Sequence, residues 1–351
     1  MASSIILSSS FLPSQLSNSS RVHFKPYCTP TFKRTSFATK IRASSTAFAE
    51  TKPTGPVTVE KDVRSSKNIL ACPVCYEPVT LIGATVLSVY SARGSSLQCS
   101  TLNIQSEMVC NKETHLELTV ASGSKGYGDI AMPLATEFFR TPFMSFLYER
   151  GWRQNFVWGG FPGPEKEFEL MKDYLKPVLG GNILDASCGS GLFSRLFTKS
   201  GLFSLVMALD YSENMLQQCY EFIKQEENFP KENLILVRAD IARLPFISGS
   251  LDAVPAGAAI HCWPSPSVAV AEVSRVLRPG GVFVATTYIL DGHFSLIPFL
   301  KPISQRFTQV SGSNIFLSER ELEDVCRACG LVDFTCTRNG RFVMFSATKP
   351  R

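Results

Sequence analysis

The stretch Asn182 to Ser194, NILDASCGSGLFS, decides how this chain is read. A short apolar run ends in Asp185, a turn holding Gly189 and Gly191 follows, and a helix-like segment opens at Leu192. A strand feeding a glycine turn into a helix places a ligand at the helix N-terminus. A dinucleotide turn has the form G-x-G-x-x-G, and Ser194 stands at its third position. Asp185 would repel a pyrophosphate in a partly desolvated site and favour a ligand carrying an ammonium group. The two glycines then serve close backbone approach instead of phosphate cradling.

Working outward, strand-like runs recur at Asn182–Ala186, Leu205–Leu209, Leu234–Val237, Leu251–Val254 and Gly281–Ile289. Helical patterns separate most of them, notably Tyr211–Glu226 and Ser265–Leu277. This alternation predicts a parallel sheet with helices on both faces. The end departs from it: a helix near Ser318–Cys329 precedes LVDFTCTR, Asn339-Gly340 and RFVMFSATK. Asn-Gly between two strand runs predicts an antiparallel hairpin. Upstream, Glu165–Lys176 has the spacing of an amphipathic helix. Before it, Met132–Gly163 is rich in aromatics (Phe138, Phe139, Phe143, Phe146, Tyr148, Trp152, Phe156, Trp158, Phe161), which either form part of a lid or pack on the core.

Ligands of open α/β sheets bind outside the carboxyl ends of the strands. Three acids stand at such ends in order, Asp185, Asp210 and Asp240. Asp210 is placed to accept from both hydroxyls of a ribose, and Asp240, with the Ile241 backbone beside it, to meet an adenine edge. S-adenosylmethionine has the ammonium, the ribose and the adenine, and no phosphate. The expected cofactor-binding set is Asp185, Ser187, Gly189, Gly191, Asp210, Tyr211, Asp240 and Ile241. Asp252, by contrast, reads as structural.

The wording LDASCGSG, ALDYSENML, RADIARLPF, LDAVPAGAAIHCW and RVLRPGGVF resembles the class I S-adenosylmethionine-dependent methyltransferases, nearest the branch with the quinone-biosynthesis C-methyltransferases. GFPGP, SCGSGLFSR, LDYSENM and HCWPSPS are similar to a narrower plant family, the uncharacterised plastid methyltransferases associated with plastoglobules. The likeness spans roughly Cys72 to Pro350. It implies a Rossmann-like seven-stranded sheet, mostly parallel with an antiparallel C-terminal hairpin, and names neither substrate nor catalytic residue. Pro255 stands where the resemblance leads one to expect histidine. Because proline withholds a ladder donor, the strand is expected to end or bulge there.

From Met1 to Phe48 there are six of the 35 Lys and Arg residues, twelve serines and none of the 30 acidic residues, so the remainder carries 29 basic against 30 acidic groups. The net charge of +5 thus belongs to the leader. An acid-free, Ser-rich leader is the pattern of a chloroplast transit peptide, with IRASS at Ile41–Ser45 as its cleavage region. The expected division is 1–48 transit peptide, 49–66 linker, 67–122 small Cys-containing module and 132–351 methyltransferase domain. No uncharged apolar run reaches the length of a membrane span.

In the small module Cys72-Pro-Val-Cys75 has metal-knuckle spacing, but a second C-x-x-C is missing. Cys72, Cys75, Cys99 and Cys110 could converge on zinc, with His115 as a substitute, or the module could be a degenerate ribbon packed as an apolar subdomain. It also resembles the zinc module of some ribosomal RNA methyltransferases. Cys326 and Cys329 lie on a helical pattern and read as structural.

Methyl transfer from a sulfonium asks a protein to align the acceptor and exclude water, with a base only if the acceptor must lose a proton. His261 is the histidine placed for that, or else it is hydrogen-bonded at the sheet edge. The reading is therefore a plastid S-adenosylmethionine-dependent methyltransferase acting on a small apolar acceptor, quinone or isoprenoid-like. The alternatives are ribosomal RNA methylation, disfavoured by the near-neutral charge without the leader, and a non-catalytic plastoglobule protein. The aromatic stretch and Leu296–Phe307 would suit a lipid surface.

Overall fold

The computed structural model describes residues 69–82, 96–99, 108–109, 114–119, 137, 140–152, 154–289 and 315–351. The chain divides into two units, 1–61 and 62–351, and every described residue belongs to the second. The leader, the linker, Cys110, Phe138, Phe139 and Leu296–Phe307 lie outside the described residues.

Strands β1 (Val79–Ile82), β2 (Ser96–Cys99) and β3 (Met108–Val109) form a small antiparallel sheet. The main sheet is built from β4 (Leu116–Glu117), β5 (Asn182–Ala186), β6 (Leu205–Asp210), β7 (Leu234–Arg238), β8 (Leu251–Ala256), β9 (Leu277–Tyr288), β10 (Val332–Asn339) and β11 (Phe342–Thr348). Their spatial order is β10-β11-β9-β8-β5-β6-β7-β4. The pairs β9–β8, β8–β5, β5–β6, β6–β7 and β7–β4 are parallel, while β9–β11 and β11–β10 are antiparallel.

The order reverses at β5, the first strand of the alternating series, which has β6 on one side and β8 on the other. A crevice opens at the carboxyl ends of neighbouring strands where such a reversal occurs. NILDASCGSGLFS runs from β5 into that crevice.

The central strands are mainly apolar because both faces are covered. Alternate residues divide between two cores: Leu184, Ala186, Met207, Leu209, Ile235 and Val237 enter one, and Ile183, Val206, Ala208, Leu234 and Leu236 the other. Helices α3 (Pro164–Leu175), α4 (Leu192–Ser200) and α5 (Glu213–Gln225) cover the second face with Met171, Phe197, Cys219 and Ile223. The first face receives α6 (Pro266–Val276), α7 (Glu319–Ala328) and the residues around Leu70. Two shorter helices, α1 (Pro142–Leu147) and α2 (Gln154–Trp158), flank a kinked turn at Tyr148–Trp152, where Gly151 takes φ +145°.

Three features differ from the sequence expectation. The main sheet has eight strands, not seven, because Leu116 and Glu117 from the 67–122 stretch pair in parallel with Val237 and Arg238. Arg238 Nη1 donates to Glu117 Oε2 at 2.7 Å and ties that edge strand down. A two-residue strand carries too short a pattern to be read by periodicity.

Second, β8 does not bulge at Pro255, and it ends one residue beyond it, at Ala256. Val254, Pro255 and Ala256 pair in register with Phe283, Val284 and Ala285, and the irregularity falls earlier, between Leu251 and Ala253. A strand residue directs its N–H to one neighbour only, so the proline leaves the ladder on its other side intact. Toward β5, the registered pair is Ile183 with Ala253, two residues before the proline.

Third, β9 begins at Leu277 instead of Gly281, and Gly280 at φ +78° carries it through Arg278-Pro-Gly-Gly. The terminal hairpin is as expected, with Asn339 opposite Phe342 and Gly340 at φ +62° in its turn.

Candidate functional site

A crevice opens at the strand ends, where ligands of such sheets bind. Its floor comes from the turns after β5, β6, β7 and β8, through Ser187 and Gly189, Asp210–Ser212, Ala239 with Ile241, and Gly257 to Ala259. Its far wall is Arg140, Tyr148, Phe156, His261 and Trp263.

The glycine turn is fixed by its own amides. Cys188 N donates to Leu209 O at 2.9 Å, Gly191 N to Cys188 O at 3.0 Å, and Gly189 N to Asp210 Oδ2 at 2.9 Å. These three amides are thereby committed inside the protein. Asp210 Oδ1 accepts from Ser212 N at 2.7 Å. Each carboxylate oxygen is therefore anchored by one backbone N–H and has a further lone pair for a ligand donor. Burial pushes this carboxyl upward from its usual range, opposed by the Ser212 and Gly189 amides and by the Arg140 charge.

The expected cofactor set divides. Ser187, Gly189, Asp210, Tyr211 and Ile241 line the crevice, whereas Asp185, Gly191 and Asp240 are outside its lining. Asp185 is 1% exposed, and its Oδ2 accepts from Ser194 Oγ at 2.5 Å. The serine at the third glycine position thus partners the strand-end acid behind the turn. Gly191, at φ +77°, lies so close to α5 that a Cβ would overlap Cys219 Sγ. Its freedom serves helix packing rather than approach to a ligand. Asp240 Oδ1 accepts from Ala242 N at 2.8 Å and braces its own turn. Asp252 is structural, taking Asn182 N at 2.7 Å and Arg278 Nε.

His261 is 4% exposed and enters the crevice from the segment after β8. Its Nδ1 is 3.1 Å from Thr287 Oγ1, and its ring stacks on Phe316 and meets Tyr288 edge-on. Burial lowers its pKa from 6.5 to about 4, so it is neutral at physiological pH. Trp263 Nε1 donates to Ser187 Oγ at 2.9 Å and joins the two ends of the floor.

The aromatic stretch serves three purposes. Tyr148 and Phe156 line the crevice, Phe161 is buried at 3% against Phe342 and Tyr288, and Phe143, Phe146 and Trp158 are exposed. The kinked turn is held down by Glu149, whose carboxylate takes Arg195 Nη2 at 2.6 Å and Ser190 Oγ. Arg140 escaped the sequence reading. It sits 4.3 Å over the Tyr211 ring and lines the crevice beside Asp210. The one local signal near it is the helix start at Thr141-Pro142, whose Thr141 caps Met144 N.

Among the metal candidates, Cys72, Cys75 and Cys99 come together, with their sulfurs within 4.8 Å of one another. His115 is not in that group. It lies beside β4, with Nδ1 2.8 Å from Thr114 Oγ1. Among the described residues no helix is long and apolar enough to cross a membrane.

Comparison with known proteins adds to this geometry. A family described as a methyltransferase domain matches residues 184–285. A chloroplastic protein of Arabidopsis thaliana, named an uncharacterized methyltransferase, is 69% identical over 289 residues, covering 82% of this chain and 80% of its own. The demethylmenaquinone methyltransferase of Staphylococcus aureus is 37% identical over 125 residues, 33% of this chain and 50% of its own. A Haemonchus contortus phosphoethanolamine N-methyltransferase in complex with S-adenosyl-L-methionine shares 18% identity at a TM-score of 0.47, over 60% of this chain and 58% of its own.

Proposed function

The chain belongs to the class I S-adenosylmethionine-dependent methyltransferases, in one family with the Arabidopsis protein, and we propose that it methylates a small apolar acceptor of quinone or isoprenoid type in the chloroplast. The carrying observation is the Asp210 carboxylate, anchored by the Gly189 and Ser212 amides at the mouth of β6. A carboxylate at this place accepts from a diol and repels a phosphate. When bound, S-adenosylmethionine supplies a methyl group already activated on a sulfonium.

In this reading Asp210 accepts from the two ribose hydroxyls, and Tyr211 and Ile241 bracket the adenine. Ser187 and Gly189 border the methionyl part. Asp185 works from behind: its bond with Ser194 fixes the turn, and its charge favours the ammonium without touching it. Tyr148, Phe156, Met215 and Trp263 supply the apolar wall against which an acceptor packs and from which water is excluded. His261, neutral and backed by Thr287, receives the acceptor's proton at Nε2 when the attacking atom must lose one. The acceptor class is supported by this wall and by the partial likeness to a demethylmenaquinone methyltransferase. The chloroplast is supported by the relative's name and by the acid-free leader. The exposed Phe143, Phe146 and Trp158 suit a peripheral position on a plastoglobule surface.

The test is transfer of labelled methyl from S-adenosylmethionine to a chloroplast lipid extract, with chloroplast RNA in parallel. Label in an apolar, prenyl-quinone-like fraction is expected. Label in RNA alone, or in neither while S-adenosylmethionine binds, would overturn the acceptor class.

A further inference from the structure

Among the described residues outside the crevice, one cluster has no place in methyl transfer: the thiols of Cys72, Cys75 and Cys99. Cys72 and Cys75 stand on a tight turn in which Tyr76 N donates to Cys72 O at 2.8 Å and Cys72 N to Glu77 O at 2.9 Å. Tyr76 closes it at φ +62°, a conformation that side-chain-bearing residues rarely adopt. The small sheet brings the third thiol in, because Cys99 pairs with Val79, three residues after the turn closes. Cys72 and Cys99 are buried and Cys75 half-buried, and none of the three is in a disulfide.

Cysteines that merely fill apolar space have no reason to face each other in threes. Cys75 Sγ and Cys99 Sγ are 3.5 Å apart, well beyond a disulfide bond of about 2.0 Å. Three thiolates around a tetrahedral zinc, with Zn–S of about 2.3 Å, stand about 3.8 Å apart, and the observed cluster is of that size.

The turn is also joined to the crevice. Ala71 N donates to Pro245 O and Ile247 N to Ile69 O, each at 2.9 Å, with Leu70 bridging to Phe246. Arg275 packs over the Tyr76 ring at 4.3 Å and donates to Phe246 O at 2.8 Å. The segment so held, 245–247, directly follows the turn carrying Ile241, which lines the crevice on its expected adenine side.

We propose that Cys72, Cys75 and Cys99 bind one thiophilic divalent cation, zinc in the first instance, as a structural clamp that holds the 239–247 segment in place. On binding, the three thiols release three protons to solvent and form three metal–sulfur bonds. The fourth position is left for water or a further donor. No electron is transferred, and the ion takes no part in methyl transfer.

The experiment uses the full chain purified without chelator and under reductant. Elemental analysis should give about one zinc per chain, released on titration with a mercurial. Reconstitution with cobalt should give the intense thiolate-to-metal absorption of sulfur ligation. Cys72→Ser and Cys99→Ser should each lower bound zinc at least tenfold. Cys336→Ser, on a distant strand, should leave it unchanged and so control for handling. Removing zinc should weaken S-adenosylmethionine binding severalfold without abolishing it, and zinc should restore it. Wild-type chain that folds and binds S-adenosylmethionine with less than about 0.1 metal per chain, before and after incubation with zinc, would overturn the proposal. So would a Cys75–Cys99 disulfide in the metal-free chain that persists under the reductant. Because cofactor binding is read separately, failure here does not touch the methyltransferase reading.

Discussion

The two sides of the crevice are built differently. The floor comes from short turns after consecutive strands, and its key bonds are made by backbone amides: Gly189 N and Ser212 N to Asp210, Cys188 N to Leu209. The far wall is assembled from side chains remote in sequence, with Arg140, Tyr148 and Phe156 on one side and His261 and Trp263 on the other. Backbone geometry repeats wherever the same turn is written, so the floor is generic to a cofactor. On the proposed reading, the side-chain wall is the part that meets the acceptor.

The comparison breaks first at His261. His261→Ala should lower the methyl-transfer rate by about 10²-fold or more, while calorimetric binding of S-adenosylmethionine stays within about twofold. An equal loss of both would place the imidazole with the floor. The same residue sets a pH signature. Its imidazole titrates at about 4 in the fold against 6.5 when unperturbed, so between those values the unfolded chain binds the extra proton. Stability should fall as pH drops below 6.5, by up to about 3 kcal/mol at pH 4. His261→Gln should flatten that part of the denaturation-midpoint profile.

Gly191→Ala should destabilise the fold by about 3 kcal/mol, from its positive φ and its overlap with Cys219. Adding Cys219→Ala should recover the steric share, as read by denaturant unfolding. Asp210→Ala removes the floor's ligand acceptor and leaves two amides unpaired. It should weaken S-adenosylmethionine about 30-fold, or about 2 kcal/mol, with no gain of NAD binding. Smallest, Ser194→Ala strips the buried Asp185 of a hydrogen bond and should cost about 1 kcal/mol in stability. Loss of the cofactor with unchanged stability would show instead that Asp185 contacts the ligand.

The floor was largely legible because its signals are local. Ser187, Gly189, Asp210, Tyr211 and Ile241 stand at strand ends or in the turns just after them, and all line the crevice. Asp185 and Asp240 were read by the same rule, yet their carboxylates turn to Ser194 Oγ and Ala242 N. A strand end fixes where a side chain begins and not what it meets. Arg140 gave no sign, since its position over Tyr211 depends on α1 docking against α5. For Pro255, one sequence does not say which neighbouring strand loses the donor.

The sequence by itself determined the alternating strands and helices, the terminal hairpin and the order of the strand-end acids, because each rests on periodicity or on a turn a few residues long. Only the tertiary structure decided that Leu116–Glu117 closes the sheet beside β7, that Ser194 answers Asp185, and that three cysteines spread from 72 to 99 meet at one point. Those are contacts between distant segments, set by how layers pack, and a linear pattern carries no record of the partner across the gap.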